Sequence, residues 1–129
     1  MDAGKVIVSH LGDRIGTHWW QAIAERGAFL NIDNLAFISG YAPLEVRADN
    51  VAAFIADGYI EQVMLSNDIC RVDQLKTFDG PGYGNVIEQF YPLLRERGVT
   101  EEQIHTMTVA NPARAFAYDA EGARSRWTG

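Results

Sequence analysis

Residues 58–84, GYIEQVMLSNDICRVDQLKTFDGPGYG, decide how this chain is read. Ile60 to Leu65 is an apolar-rich run of strand length, entered from Gly58 and ended by Ser66, Asn67 and Asp68. A polar, glycine-containing loop follows. An acid at the carboxyl end of a buried parallel strand is where (β/α)8 enzymes place their chemistry. The competing reading is a turn-forming Asp68 that hydrogen-bonds its own backbone. What other strands end in bears on the choice.

Working outward, two more runs end in the same way. Lys5–Ser9 is β-branched and terminates at His10, and Phe29–Asp33 terminates in an acid. Strands are therefore expected over 5–9, 29–33 and 60–65, with Gly4, Gly27 and Gly58 just before them. Helices alternate with them. Thr17 can cap one over 18–26, with Trp20, Ile23 and Ala24 on one side. Asp49 can cap a second over 49–57, with Val51, Phe54 and Ile55 at helical spacing, and residues 34–48 before it read as a long loop. A third runs over 85–97, with Val86, Ile87, Phe90, Leu93 and Leu94 as its apolar face and a kink at Pro92. Thr100 to Gln103 is a capping box, and Asn111 before Pro112 reads as a cap. The pattern is a parallel βα array, in which crossovers are right-handed and the strand ends share one rim. A histidine and two carboxylates on one rim, His10, Asp33 and Asp68, have the composition of a hard or borderline metal site. The alternative is that His10 and Asp33 only cap loops.

Composition narrows the function. The 129 residues suit one domain or part of one, and the net charge of −6 with no Lys/Arg cluster argues against a nucleic-acid partner. No apolar run reaches membrane-span length, so no membrane partner is expected. The start carries no signal-peptide pattern and Cys70 is the single cysteine, which together lead us to expect a cytoplasmic protein. Cys70 reads as a packed or idle thiol, and His18 and His105 fall in helices as surface or packed residues. Trp19 and Trp20 read as packing in the outer helical layer. Gly80 to Gly84 does not open a helix directly after a strand, so it reads as a loop over a barrel mouth rather than a phosphate cradle. Arg71 and Lys76, in the same loop, are candidates to meet an anionic substrate group, set against ordinary solvated charge.

Three segments, VIVSHLGD (6–13), ERGAFLNID (25–33) and VMLSNDIC (63–70), followed by GYGNVI (82–87), PLLRERGV (92–99) and VANPAR (109–114), together resemble the phosphotriesterase family of the amidohydrolase superfamily. The resemblance runs from about Lys5 to Tyr118, in the order of that family's strands six, seven and eight. It implies an α/β fold, a partial (β/α)8 TIM barrel over residues 1–118, with 119–129 as a polar tail. It implies a metal-dependent hydrolase acting on phosphotriesters, lactones or related esters through a hydroxide bridging two divalent ions, with zinc the expected metal. On the matching positions, His10 is implied as a ligand of the more exposed metal. Asp68 is implied as a ligand of the more buried metal and as the catalytic acceptor of the hydroxide proton, which Asp13 then receives. Asp33 and Asn34 are implied to stand behind these ligands. Asn34 departs from the His or Arg that some members carry there, and an amide cannot relay a proton.

The family's HxH pair, bridging carboxylated lysine and strand-five histidine have no counterpart in these residues. A complete barrel needs about 250 residues. The chain is therefore expected to be an incomplete barrel, inactive alone, that supplies about half of the site. The other reading is a non-catalytic half-barrel serving as a scaffold or self-assembly module. A three-stranded slice leaves two open edges and an inner face expected from Val6, Val8, Ile32 and Met64, so self-association is expected.

Overall fold

Three short runs of β-branched and apolar residues pair in parallel in the order β1-β2-β3, where β1 is Ile7–Val8, β2 Phe29–Ile32 and β3 Val63–Leu65. This is a computed structural model, and it describes residues 2–13, 16–36 and 40–117. The tail expected over 119–129 lies outside the described residues. Val8 aligns with Leu30, Leu30 with Val63, and Asn31 with Met64. Side chains alternate between faces along a strand, so this register sorts the sheet. Leu30, Ile32 and Val63 join the main core with the helices, whereas Phe29 and Met64, with Ile7 against them, form a second cluster on the other face.

All three strands are shorter than expected, β2 by one residue and β1 and β3 by three each. Ala3–Lys5 is a tight turn capped by the Asp2 carboxylate, which accepts from Gly4 N at 2.9 Å. Ile60–Gln62 is another such turn, entered after Gly58 at φ 98° and closed by Val63 N donating to Ile60 O. The left-handed glycine ends the preceding helix so close to the sheet that three residues are used in turning into it.

Helix α1 (His18–Ala24) buries Trp20 and Ala24, and Trp20 meets Phe54 edge-on with ring centroids 5.4 Å apart. Trp19, expected beside it in the packing layer, is instead 66% exposed. Helix α2 (Leu44–Phe54) begins five residues earlier than Asp49, behind an extended Pro43 that excludes a further helical turn. The loop after β2 is shortened accordingly, and Asp49 sits on the outer face, paired with Arg97 at 2.5 Å.

The carboxyl-terminal helices share one device. A wide π turn over Val86–Phe90 leads into α3 (Tyr91–Glu96), and a second over Thr106–Ala110 joins α4 (Glu101–His105) to α5 (Asn111–Phe116). Each stands just before a proline, Pro92 or Pro112. Proline has no N–H to continue the ordinary ladder. The preceding residue instead donates one position further back, Tyr91 N to Val86 O and Asn111 N to Thr106 O. Two expectations change as a result. Ile87 rolls off the buried face and is exposed, while Val86, Phe90 and Leu94 stay in the core. Asn111 is not a cap: it lies within a continuous helical run and is fully buried.

Helix α5 crosses beneath the amino ends of the strands. Asn111 Nδ2 donates to Ile60 O and Val63 O at 2.7 and 2.6 Å, the Arg114 guanidinium lies 5.7 Å over the Phe29 ring, and Lys5 Nζ donates to Arg114 O at 3.1 Å. The inner face is therefore not bare as expected: Ala115 covers Phe29 and Met64, and Ile32 faces the helices. Among the described residues no helix is long and apolar enough to cross a membrane.

Candidate metal and catalytic rim

Each strand exits through a residue held in the left-handed backbone region: His10 at φ 63°, Asn34 at φ 59° and Asp68 at φ 52°. L-residues other than Gly, Asn and Asp rarely adopt this conformation. It turns the chain sharply at the carboxyl end of the sheet, and the candidate side chains gather there. Gly12 lets the loop after β1 lie against β2: a Cβ on it would stand 2.9 Å from Ile32 Cγ2 and 3.2 Å from Asp33 O.

Asp33, nearly buried, is the hub. Its Oδ1 accepts from His10 N at 2.9 Å and lies 3.1 Å from His10 Nδ1, and its Oδ2 accepts from Asn31 Nδ2 at 3.3 Å. The Asn31 amide oxygen in turn accepts from Ser66 Oγ at 3.3 Å. The His10 side chain is 59% exposed while Asp33 is buried beneath it. Hydrogen bonding to Asp33 and its negative charge push the His10 imidazole above its ordinary pKa, and Asp68 and Asp13 add to that field. Burial pushes the Asp33 carboxyl up, against the pull of His10.

A second arm holds Asp13. Asn34 Nδ2 donates to Asp13 Oδ1 at 2.5 Å and stands 3.3 Å from His10 Nδ1. Behind it the buried Arg47 donates to Asn34 O at 2.7 Å and to Ala42 O at 2.6 Å. Burial lowers the pKa of this guanidinium, and Asp13 opposes that shift. Asp68 lies near enough to act on both His10 and Asp33 electrostatically. The structure thus brings His10, Asp13, Asp33, Asn34 and Asp68 to one rim.

Arg71 and Lys76 stand apart from that cluster. Arg71 is paired with Asp73 through two contacts, at 2.6 and 3.0 Å, and Lys76 with both Glu88 oxygens at 2.6 Å. Arg71 lines a hollow of about 240 Å3 with Cys70, Val72 and Tyr83. Sequence reading missed Asn31, Arg47 and Asn85, which hold the rim together. Asn31 was accessible from strand alternation, as the polar residue between Leu30 and Ile32. Arg47 and Asn85, whose Nδ2 donates to Leu35 O at 2.6 Å, carry no such signal, because their partners are loop carbonyls.

The donor chemistry fits part of a metal site. A metal-binding histidine usually gives its other ring nitrogen to a carboxylate, which fixes the ring and the tautomer. His10 with Asp33 has that arrangement, and no hydrogen bond to Nε2 is present among the described residues. Among the described residues, however, no three His, Cys, Asp or Glu side chains are grouped to hold an ion. A catalytic site usually needs three protein ligands on one ion, more than this cluster offers.

Comparison with known proteins identifies the family. A model of the phosphotriesterase family matches residues 1–116. The aryldialkylphosphatase of Saccharolobus solfataricus is 29% identical over 126 residues, covering 91% of this chain and 40% of that protein. A phosphotriesterase homology protein of Mycobacterium tuberculosis is 28% identical over 123 residues, covering 90% and 37%. Among solved structures, the phosphotriesterase homology protein of Escherichia coli, complexed with phosphate in its active site, superposes with a TM-score of 0.85 at 29% identity, over 91% of this chain and 40% of that one. The chain therefore spans about two fifths of the length of the curated relatives it matches. The match along residues 1–116, with the parallel βα architecture it shares, places this chain in the phosphotriesterase family.

Proposed function

We propose that the chain supplies one side of the active site of a metal-dependent hydrolase of phosphotriesters, lactones or related esters, built from strands six to eight of a (β/α)8 barrel. The observation that carries this reading is the His10–Asp33 pair at 3.1 Å on the carboxyl rim, with the imidazole exposed and the carboxylate buried. When bound, two divalent ions, zinc the expected one, would lower the pKa of water at the site and polarise the ester oxygen.

The residues of this chain then have distinct tasks. His10 presents Nε2 as a ligand, and Asp33 holds the ring by accepting at Nδ1. Asp68 offers a second ligand and a carboxylate oxygen that can accept a proton at the rim. Asp13, pinned by the Asn34 amide, is the next acceptor. Asn34 has no titratable proton, so it orients Asp13 and does not itself relay. Arg71 and Lys76 would meet substrate only if freed from Asp73 and Glu88. Open sheet edges would lead the isolated chain to self-associate.

The test is to purify the chain alone and together with the upstream part of a related barrel, then measure metal content and turnover of a phosphotriester and a lactone. The chain alone should show no appreciable turnover with added zinc, cobalt or manganese. The combination should bind metal and turn over, and His10→Ala should abolish both. A combination that binds no metal would sink the hydrolase reading and leave the scaffold one.

A further inference from the structure

Asp68 is half-buried, and among the described residues its carboxylate has no hydrogen-bond partner. Its backbone nonetheless stands in the left-handed region, at φ 52°. The other two left-handed strand exits differ: the His10 ring is tied to Asp33 and the Asn34 amide to Asp13. Whatever places the Asp68 carboxylate therefore acts through the main chain on either side of it.

Two side-chain amides do so. Before it, Asn67 Nδ2 donates to Tyr83 O at 2.8 Å, Asn67 Oδ1 accepts from Asn85 Nδ2 at 3.3 Å, and Asn67 O accepts from Ala36 N at 3.4 Å. Asn85 is 2% exposed and also donates to Leu35 O, so Asn67 is held between the loop after β2 and the loop that ends at Tyr83. After it, Gln74 Oε1 accepts from both Cys70 N and Arg71 N at 2.9 Å. Gln74 is itself fixed, 5% exposed, with Gly82 N donating to its carbonyl at 2.7 Å. Its Nε2 is buried with no partner among the described residues. An unpaired buried donor is costly, so it is the oxygen, with its two main-chain bonds, that suits glutamine to this place.

We propose that Asn67 and Gln74 are the positioning residues of Asp68. They clamp the chain immediately before and shortly after it, and so present its carboxylate at the rim with both oxygens unengaged. The proposal rests on the reading of Asp68 as a ligand and proton acceptor, and adds the groups that aim it. A carboxylate oxygen that already accepts from the protein has less capacity left for an ion or a proton. Asp33 is in that position, with both oxygens accepting, and serves as a support. Holding Asp68 by its backbone fixes its direction without using those oxygens. Functional groups need such support from neighbours that are themselves locked.

The experiment has two readouts. In the full chain by itself, the HN–Hα coupling and the intraresidue HN–Hα contact of Asp68, measured by NMR, report whether its φ is positive. In the chain combined with the upstream part of a related barrel, chelator competition reports metal affinity. Gln74→Met keeps length and burial but removes the acceptor, Asn67→Leu removes the other clamp, and Gln74→Glu keeps an acceptor oxygen. Thr100→Ala, in the capping box of α4, controls for lost stability alone. Asp68 should leave the left-handed region in Gln74→Met and Asn67→Leu, and these should lower metal affinity by about 10–100-fold. Gln74→Glu and Thr100→Ala should stay close to wild type in both readouts. An Asp68 φ that neither clamp variant changes overturns the proposal, as does a Gln74→Glu that behaves like Gln74→Met. So does a metal affinity that the clamp variants leave unchanged, or that Thr100→Ala lowers as far. Circular dichroism checks folding. If the clamp variants do not fold, hydrogen exchange in the wild-type chain decides. Protected Cys70 and Arg71 amides support the proposal, and amides that exchange as fast as an exposed loop overturn it. A wild-type combination that binds no metal defeats the hydrolase reading alone, because the Asp68 conformation is read in the chain by itself.

Discussion

Asn111 sits fully buried inside a helical run, its amide hydrogens directed to two carbonyls at the foot of β3. Asn111→Ala would strand those acceptors, at about 1–3 kcal/mol for a buried group left unpaired, and denaturant melts should show the loss. The Asn-Pro pair suggested a cap, because the local rule favours Asn just before a helix. Its real partners lie about fifty residues away in sequence, beyond the reach of any local rule. Gly80 has a comparable hidden constraint. A Cβ there would overlap the backbone of Gln74 and the Asp73 carbonyl. Gly80→Ala should therefore destabilise the loop by about 1–3 kcal/mol, as overpacking does, read as a lower urea midpoint. At the rim, Asp33→Asn keeps the shape but removes the carboxylate behind His10. It should lower metal affinity of the assembled barrel by about 10–100-fold, measured by chelator competition, while the chain still folds.

Elements were legible where a local rule decides them and not where a neighbour does. The three strands, their parallel order and the polar residue after each follow from β-branched runs ended by His10, Asp33 and Asp68. The Thr100 capping box is present as read, with Gln103 N donating to Thr100 Oγ1 at 3.2 Å and Thr100 N to Gln103 Oε1 at 2.9 Å. Thr100→Ala should reduce stability by about 1 kcal/mol, visible as a lower thermal midpoint. The start of α2 was misplaced because Asp49 obeys the capping rule, whereas Pro43 and the buried Arg47 set the true beginning. The apolar face expected over 85–97 was misassigned at Ile87 because the π turn over Val86–Phe90 shifts the register before α3, and its signal is a proline two residues beyond the turn.

For the whole molecule, α5 and the rim divide the sheet between two tasks. Beneath the amino ends, Asn111, Arg114 and Lys5 fasten the carboxyl-terminal helix to β3, β2 and the turn before β1. Above the carboxyl ends gather His10, Asp13, Asp33 and Asp68, the side chains on which the proposed chemistry rests. Family membership was legible because several short motifs occur in the right order. The Asp13–Asn34 contact was not, because it depends on how the loops turn in space.

The backbone at the strand exits has a further consequence. Asp68 makes no side-chain hydrogen bond among the described residues, yet it occupies a left-handed conformation that glycine enters freely. Asp is among the few L-residues that tolerate this region, so Asp68→Gly should change stability by less than about 1 kcal/mol while it erases the carboxylate. A library screened only for solubility or heat resistance would then accept Asp68→Gly, and one screened for metal uptake in the assembled barrel would purge it. The divergence of those two pools at a single codon would measure how far this residue is held by chemistry rather than by folding.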